Sequence, residues 1–169
     1  MTDEYFMERA LDRAGQALAE GEFPVGCVIS DGRRVVVSGA RRGSAGRRPN
    51  ELDHAEIIAL RRLYENGDVE GLQNKDLTIY STMEPCLMCF GAILLNQISR
   101  VVYAYEDVMG GGTRINRFEM PALYARSRVS VVSGVLREKS LALFQTYFAD
   151  PRHAYWKDSL LAQYTLSQD

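Results

Sequence analysis

No stretch of the sequence approaches the ~18 consecutive apolar residues of a membrane-spanning helix. The acidic start, Met1-Thr2-Asp3-Glu4, lacks the basic region and apolar core of a secretory signal. Both absences point to the cytoplasm. Cysteine is scarce and odd in number, three in all. In a reducing compartment such a set serves a metal, a catalytic group or simple burial rather than crosslinks. There is no internal repeat and no excess of one charge, with 20 Lys+Arg against 22 Asp+Glu. At 46% hydrophobic and 25% charged residues, disorder, collagen-like repeats and disulfide-dense miniproteins are excluded. A length of 169 residues supplies one core, so a single domain over 1–169 is expected, with 150–169 as a C-terminal helical extension.

The near-balance of charge hides an uneven distribution. Between Arg33 and Arg48 stand six arginines (33, 34, 41, 42, 47, 48) and no acid, which leaves a net −8 on the remainder of a chain whose total is −2. Such a segment is either a solvated polar loop or a phosphate-contacting loop beside a nucleotide or RNA site.

Phe6, Met7, Ala10, Leu11, Ala14, Ala17 and Leu18 recur at spacings of three and four and predict an amphipathic helix over 4–19, ended by Gly21. Residues 23–29 read as a strand, Asp31-Gly32 as a two-residue hairpin turn and 35–37 as the partner strand. The Arg/Gly/Ser-rich stretch 39–50 is a loop. A helix over 53–64 stops at Asn66-Gly67, and a strand follows at 77–82. The run 86–96 is helical, with Pro85 beside its first turn, where a missing N–H costs nothing. A strand at 100–105, a flexible loop at Gly110-Gly111-Gly112, a strand at 129–133 and helices over 137–148 and 155–164 complete the chain. The strand-helix-strand order from 77 to 105 is a parallel crossover, normally right-handed. The expected fold class is α/β, a three-layer α-β-α sandwich around a mixed sheet of about five strands.

Two segments carry chemistry: His54-Ala55-Glu56 and Pro85-Cys86-Leu87-Met88-Cys89. One imidazole and two thiolates make a zinc set, and three protein ligands leave the fourth tetrahedral position for water, as in catalytic sites. Cys86 and Cys89 lie three residues apart in the first turn of the predicted helix. There they project to one side, and the positive end of the helix favours thiolate. His54 and Glu56 would point some 200° apart on an ideal helix, so His54 must lie at the helix start, with the metal near its end. Zinc lowers the pKa of a bound water to about 7, and Glu56 is placed to take its proton and return it to a departing amine. Cys27, in a strand that reads as buried, is expected to be a small core residue, and His153 a surface or interface histidine.

The two segments resemble the zinc-dependent cytidine/deoxycytidylate deaminase superfamily, whose paired signature is a known pattern of nucleobase deaminases. The element order is similar as well, over roughly residues 4–150. Phe23-Pro24-Val25-Gly26-Cys27, His54-Ala55-Glu56-Ile57, Met83 to Cys89, Arg100-Val101-Val102-Tyr103 and the glycines 110–112 are most similar to the bacterial tRNA adenosine deaminase branch. The resemblance implies a cytidine deaminase-like fold, zinc on His54, Cys86 and Cys89, and Glu56 as proton shuttle. It also implies an Ala55 N–H contact to the base, a pocket lined around Val25, and a homodimer. Glu84 and Arg41 join Val25 and Ala55 as candidate substrate contacts. Arg41 falls near the place where those enzymes hold the base with an Asn, and a guanidinium donates only. The segment 141–169 has two basic and three acidic residues where those enzymes are often basic. Phe90 replaces a small residue and either narrows the pocket or packs in the core. The expected activity is hydrolytic deamination, adenosine to inosine in tRNA. The alternatives are deamination of a free base, nucleoside or nucleotide, and an inactive zinc-binding partner subunit.

Overall fold

The first helix, α1 (Asp3–Ala19), starts where the Thr2 side chain accepts the Tyr5 N–H, and it carries Asp3 and Glu4 at its positive end. These details come from a computed structural model, which describes residues 1–65 and 76–168. The expected helix stop at Asn66-Gly67 lies outside the described residues. Phe6, Met7, Ala10 and Leu11 of α1 pack on one sheet face against Val28, Tyr80, Val102 and Ala104. The alternation expected of strands accounts for the other face, where Cys27, Ile29, Ile79 and Val101 meet Ala55, Ala59 and Ile93.

The sheet holds β1 (Gly26–Ser30), β2 (Val35–Ala40), β3 (Thr78–Met83), β4 (Arg100–Tyr105) and β5 (Ser130–Val132) in the order β2-β1-β3-β4-β5. The pairs β1–β2 and β1–β3 are antiparallel, while β3–β4 and β4–β5 are parallel. This mixture gathers one set of chain segments at one sheet edge. The start of β1 and the end of β2 lie beside the ends of β3 and β4, because Gly26 pairs with Ala40 and Cys27 with Ser81. Among the described residues the remaining α-helices are α2 (Ala55–Glu65), α3 (Leu87–Leu95), α4 (Ala122–Ala125), α5 (Arg137–Ala149) and α6 (Leu160–Leu166). Both α2 and α3 begin at that same edge. Gly39 lets α2 approach β2, since a Cβ there would stand 2.2 Å from the Ala55 carbonyl oxygen.

Three expectations need correction, and two short elements are additional. The β1–β2 connection is a four-residue turn, because the Asp31 carboxylate accepts the Arg33 and Arg34 N–H groups at 2.8 Å each. β2 runs on to Ala40, taking in Ser38 and Gly39 by pairing with β1. The last helix begins at Leu160 rather than 155, capped by the Ser159 hydroxyl, after Trp156 turns the backbone to φ 55°. Short helical turns at Arg117–Glu119 and Ala122–Ala125 went unpredicted.

Phe23 is the hub of the C-terminal packing, with the Phe144, Tyr147, Phe148 and Tyr155 rings at 5.2–5.8 Å between centroids. Beyond the end of β4, Glu106 accepts from Arg137 at 2.6 Å and from the Tyr164 hydroxyl at 2.6 Å, tying α5 and α6 to the sheet. Partial burial would raise the Glu106 pKa, but Arg137 and Tyr164 outweigh it and hold it at about 2. A depressed folded-state pKa contributes stability that is complete above the unfolded value and lost as pH falls from 4.5 toward 2. Glu106→Gln should therefore lower the urea midpoint at neutral pH and make it less sensitive to acid over that window. An unchanged acid slope would show that this ion pair adds nothing.

Candidate active site

The end of β3 leads through Glu84 and Pro85 into Cys86, the N-cap of α3, whose backbone is extended (φ −66°, ψ 172°) and whose carbonyl accepts the Phe90 N–H. His54 immediately precedes α2, and its carbonyl accepts the Ile58 N–H at 2.9 Å. Two helix N-termini therefore meet here, each with unpaired N–H groups and a positive dipole end. His54 occupies the helix start that its spacing from Glu56 requires.

His54 Nδ1 stands 3.5 Å from Cys86 Sγ and 3.5 Å from Cys89 Sγ. Zinc bonds of about 2.3 Å to sulfur and 2.0–2.1 Å to nitrogen at tetrahedral angles put N and S about 3.5 Å apart. The donor set thus fits zinc in both chemistry and spacing, and these three residues form a group able to hold a metal. Hydrogen bonding from the Cys89 thiol, helped by His54, lowers the Cys86 pKa to about 4 against the penalty of burial. Cys89 is pushed up by that same hydrogen bond, by burial and by the Glu56 carboxylate.

Glu56 is 3% exposed, with one carboxylate oxygen accepting from Ser81 Oγ at 3.0 Å and the other 3.6 Å from Cys89 Sγ. Burial first, then the neighbouring Cys86 thiolate, raise its pKa. Beside it opens a cavity of about 150 Å³, the scale of a single small ring system. Val25 and Ala55 line it, and the Ala55 N–H is among those at the α2 start with no partner inside the helix.

The remaining candidates reach the cavity on other terms. Glu84 accepts from the Asp107 N–H at 3.1 Å and from the Thr113 hydroxyl at 2.5 Å, which fastens the glycine stretch. That stretch is not a free loop: Gly111 bridges to Cys86, and a Cβ on it would stand 2.5 Å from the Glu84 carboxylate. Arg41 lines the cavity but is 2% exposed, and its guanidinium donates to the Arg42 and Asp53 carbonyls and lies over the Tyr155 ring. Arg42, Arg47 and Arg48 are exposed, on a loop that the Glu22 carboxylate anchors through Gly43, Ser44 and Ala45. Phe90 is fully buried in the core and does not reach the cavity, and Cys27 is buried as expected. His153 is half-buried and stacks on Tyr147.

Sequence reasoning missed Glu51 and Asp107, which line the cavity together with Tyr155 and Trp156. Glu51 offered one signal, an acid three residues before a ligand histidine. Asp107 arrives only through the end of β4.

The profile of the cytidine and deoxycytidylate deaminase zinc-binding region matches residues 1–105, which include all three metal-binding candidates and Glu56. The chain belongs to this family. Family membership makes the protein a zinc-dependent hydrolytic deaminase with a cytidine deaminase-like fold. The tRNA-specific adenosine deaminase of Haemophilus influenzae is 37% identical over 153 residues, covering 89% of this chain and 85% of that one. The tRNA-specific adenosine deaminase of Rickettsia felis is 34% identical over 144 residues, 84% of this chain and 97% of that one. Among solved structures, one from a study of A-to-I editing by tRNA:A34 deaminases superposes with a TM-score of 0.65 at 28% identity, over 82% of this chain and 98% of that one. A guanine deaminase from Nitrosomonas europaea superposes at 0.70 with 25% identity, over 88% and 86%.

The ligand geometry predicts that His54→Ala and Cys86→Ser each purify with fewer than about half a zinc per chain, while Glu56→Gln keeps the native content. Elemental analysis after chelator-free purification checks this. Native zinc content in both ligand variants would contradict the assignment.

Proposed function

We propose that this deaminase converts adenosine to inosine in tRNA. The observation that carries the reading is near-full-length similarity to two tRNA-specific adenosine deaminases, in a chain whose buried Glu56 lines a ring-sized cavity beside the zinc set. His54, Cys86 and Cys89 hold the metal, which when bound supplies Lewis-acid activation of a water. Glu56 takes the proton as the water oxygen bonds to the amine-bearing ring carbon, and delivers it to the nitrogen, which leaves as ammonia. Ser81 keeps the Glu56 carboxylate aimed into the cavity. The Ala55 N–H contacts the base, Val25 lines its face, and Glu84 acts by fastening the wall at 107–113. Arg41 shapes the cavity mouth, and the exposed Arg42, Arg47 and Arg48 meet phosphate. The chain acts as one deaminase domain with 150–169 as its extension, and the cytoplasm is the compartment that this substrate implies.

A free base is the second reading, favoured by the small cavity and the closeness of Tyr155 and Trp156. Ammonia release from a panel of free bases, nucleosides, nucleotides and adenosine-bearing anticodon stem-loops separates the two. Activity on the stem-loop is expected, falling by about 10²–10⁴ in Glu56→Gln. With Arg42, Arg47 and Arg48 all changed to alanine, the salt slope of stem-loop turnover should fall by about 2 units. Turnover of a free base alone would replace the tRNA reading, and an unchanged slope would remove the arginines from the RNA.

A second copy completes the assembly. The α3 sequence is apolar all round, yet Leu87 (56%), Leu95 (49%) and, on the adjacent α4, Leu123 (68%) stand exposed. Leu95 and Leu123 border one surface groove, and apolar side chains exposed together are a usual mark of an interface. Sedimentation should give a dimer that Leu95→Lys dissociates, and a native monomer at micromolar concentration would refute the assignment.

A further inference from the structure

Glu51 lies where three parts of the site converge. His54 turns Nδ1 toward the thiols, and its Nε2 is buried with no hydrogen-bond partner among the described residues. Glu51 Oε2 is 3.6 Å from that nitrogen. The same oxygen accepts the Tyr155 hydroxyl at 2.8 Å and stands 3.6 Å from Arg41 Nη2. Arg41 is locked by the Arg42 and Asp53 carbonyls, and Tyr155 belongs to the C-terminal segment that walls the cavity. A single carboxylate oxygen therefore links a metal-ligating imidazole, a buried cation and the cover over the pocket.

An imidazole that binds a metal through Nδ1 carries its proton on Nε2, and the acceptor of that N–H fixes both tautomer and ring orientation. Carboxylates commonly fill this role, and no backbone carbonyl takes it here. The 3.6 Å separation exceeds the outer limit of an ordinary N–H···O bond by about 0.4 Å, a gap that rotation of a side chain 55% exposed can close. We propose that Glu51 is a positioning residue of the metal centre, accepting the His54 Nε2–H and, through Tyr155, coupling the C-terminal cover to the metal ligand. The proposal rests on the zinc reading and not on the identity of the substrate.

The test uses the full chain as Glu51→Ala, Glu51→Gln and Tyr155→Phe, with three measurements. These are zinc affinity by competition with a chromophoric chelator, the visible spectrum of the cobalt-substituted protein, and the thermal midpoint of the metal-free protein. Glu51→Ala should weaken zinc binding about 10–100-fold and shift the cobalt bands, with the metal-free midpoint unchanged. Glu51→Gln, whose amide oxygen still accepts an N–H, should recover most of that affinity. Tyr155→Phe should act in the same direction with a smaller factor. Zinc affinity within about twofold of native in Glu51→Ala, with unaltered cobalt bands, would overturn the proposal. So would a raised KM with unchanged metal binding, which would make Glu51 a substrate contact. An equal loss of metal-free stability would make it a structural residue.

Discussion

The N-termini of α2 and α3 meet end to end at one sheet edge, and the rest of the site depends on that meeting. Each helix brings a positive dipole end and unpaired N–H groups to the place where thiolates and a carboxylate must be held. Helix starts also resolve a conflict of direction. His54 and Glu56, two residues apart, would diverge along a helix, but His54 sits outside the first turn and turns Nδ1 to 3.5 Å from both thiols. Glu56, inside that turn, points between Ser81 and Cys89.

Sheet topology keeps those two ends in register. Had β1 run in the same direction as β3, Val25 would lie at the opposite edge, whereas Arg41 follows the end of β2, which runs in the direction of β3. Antiparallel pairing brings the start of β1 and the end of β2 beside the ends of β3 and β4, so four strands contribute to one cavity. Close approach is needed on both flanks, and glycine allows it: Gly39 under α2, and Gly111 against Glu84.

The C-terminal segment gives this deaminase its particular cavity. Phe23, just before β1, anchors Phe144, Tyr147, Phe148 and Tyr155, and that aromatic cluster holds Tyr155 and Trp156 over the zinc set. The arginine-rich segment then divides by burial. Arg41 is committed to carbonyls and to Glu51, while Arg42, Arg47 and Arg48 remain in solvent with charge to spend on phosphate. Sequence alone counted six like charges as one feature, whereas the fold separates a wall residue from a surface patch.

The sequence determined those parts that rest on local rules. Periodicity of three and four marked α1, the run 100–105 matched β4, and ligand types at helix-start spacing marked the zinc set before any coordinate was known. Turn and cap chemistry was less legible. Asp31 closes a four-residue turn through two N–H groups, and Trp156 at φ 55° delays the last helix to Leu160. Only the tertiary structure decided which distant residues share the cavity. Asp107 comes from the end of β4, Tyr155 from beyond α5, and Glu51 meets His54, Arg41 and Tyr155 through contacts that span up to 104 positions. No periodicity encodes such contacts, because they depend on how strands pair and helices pack rather than on the neighbours of each residue in the chain.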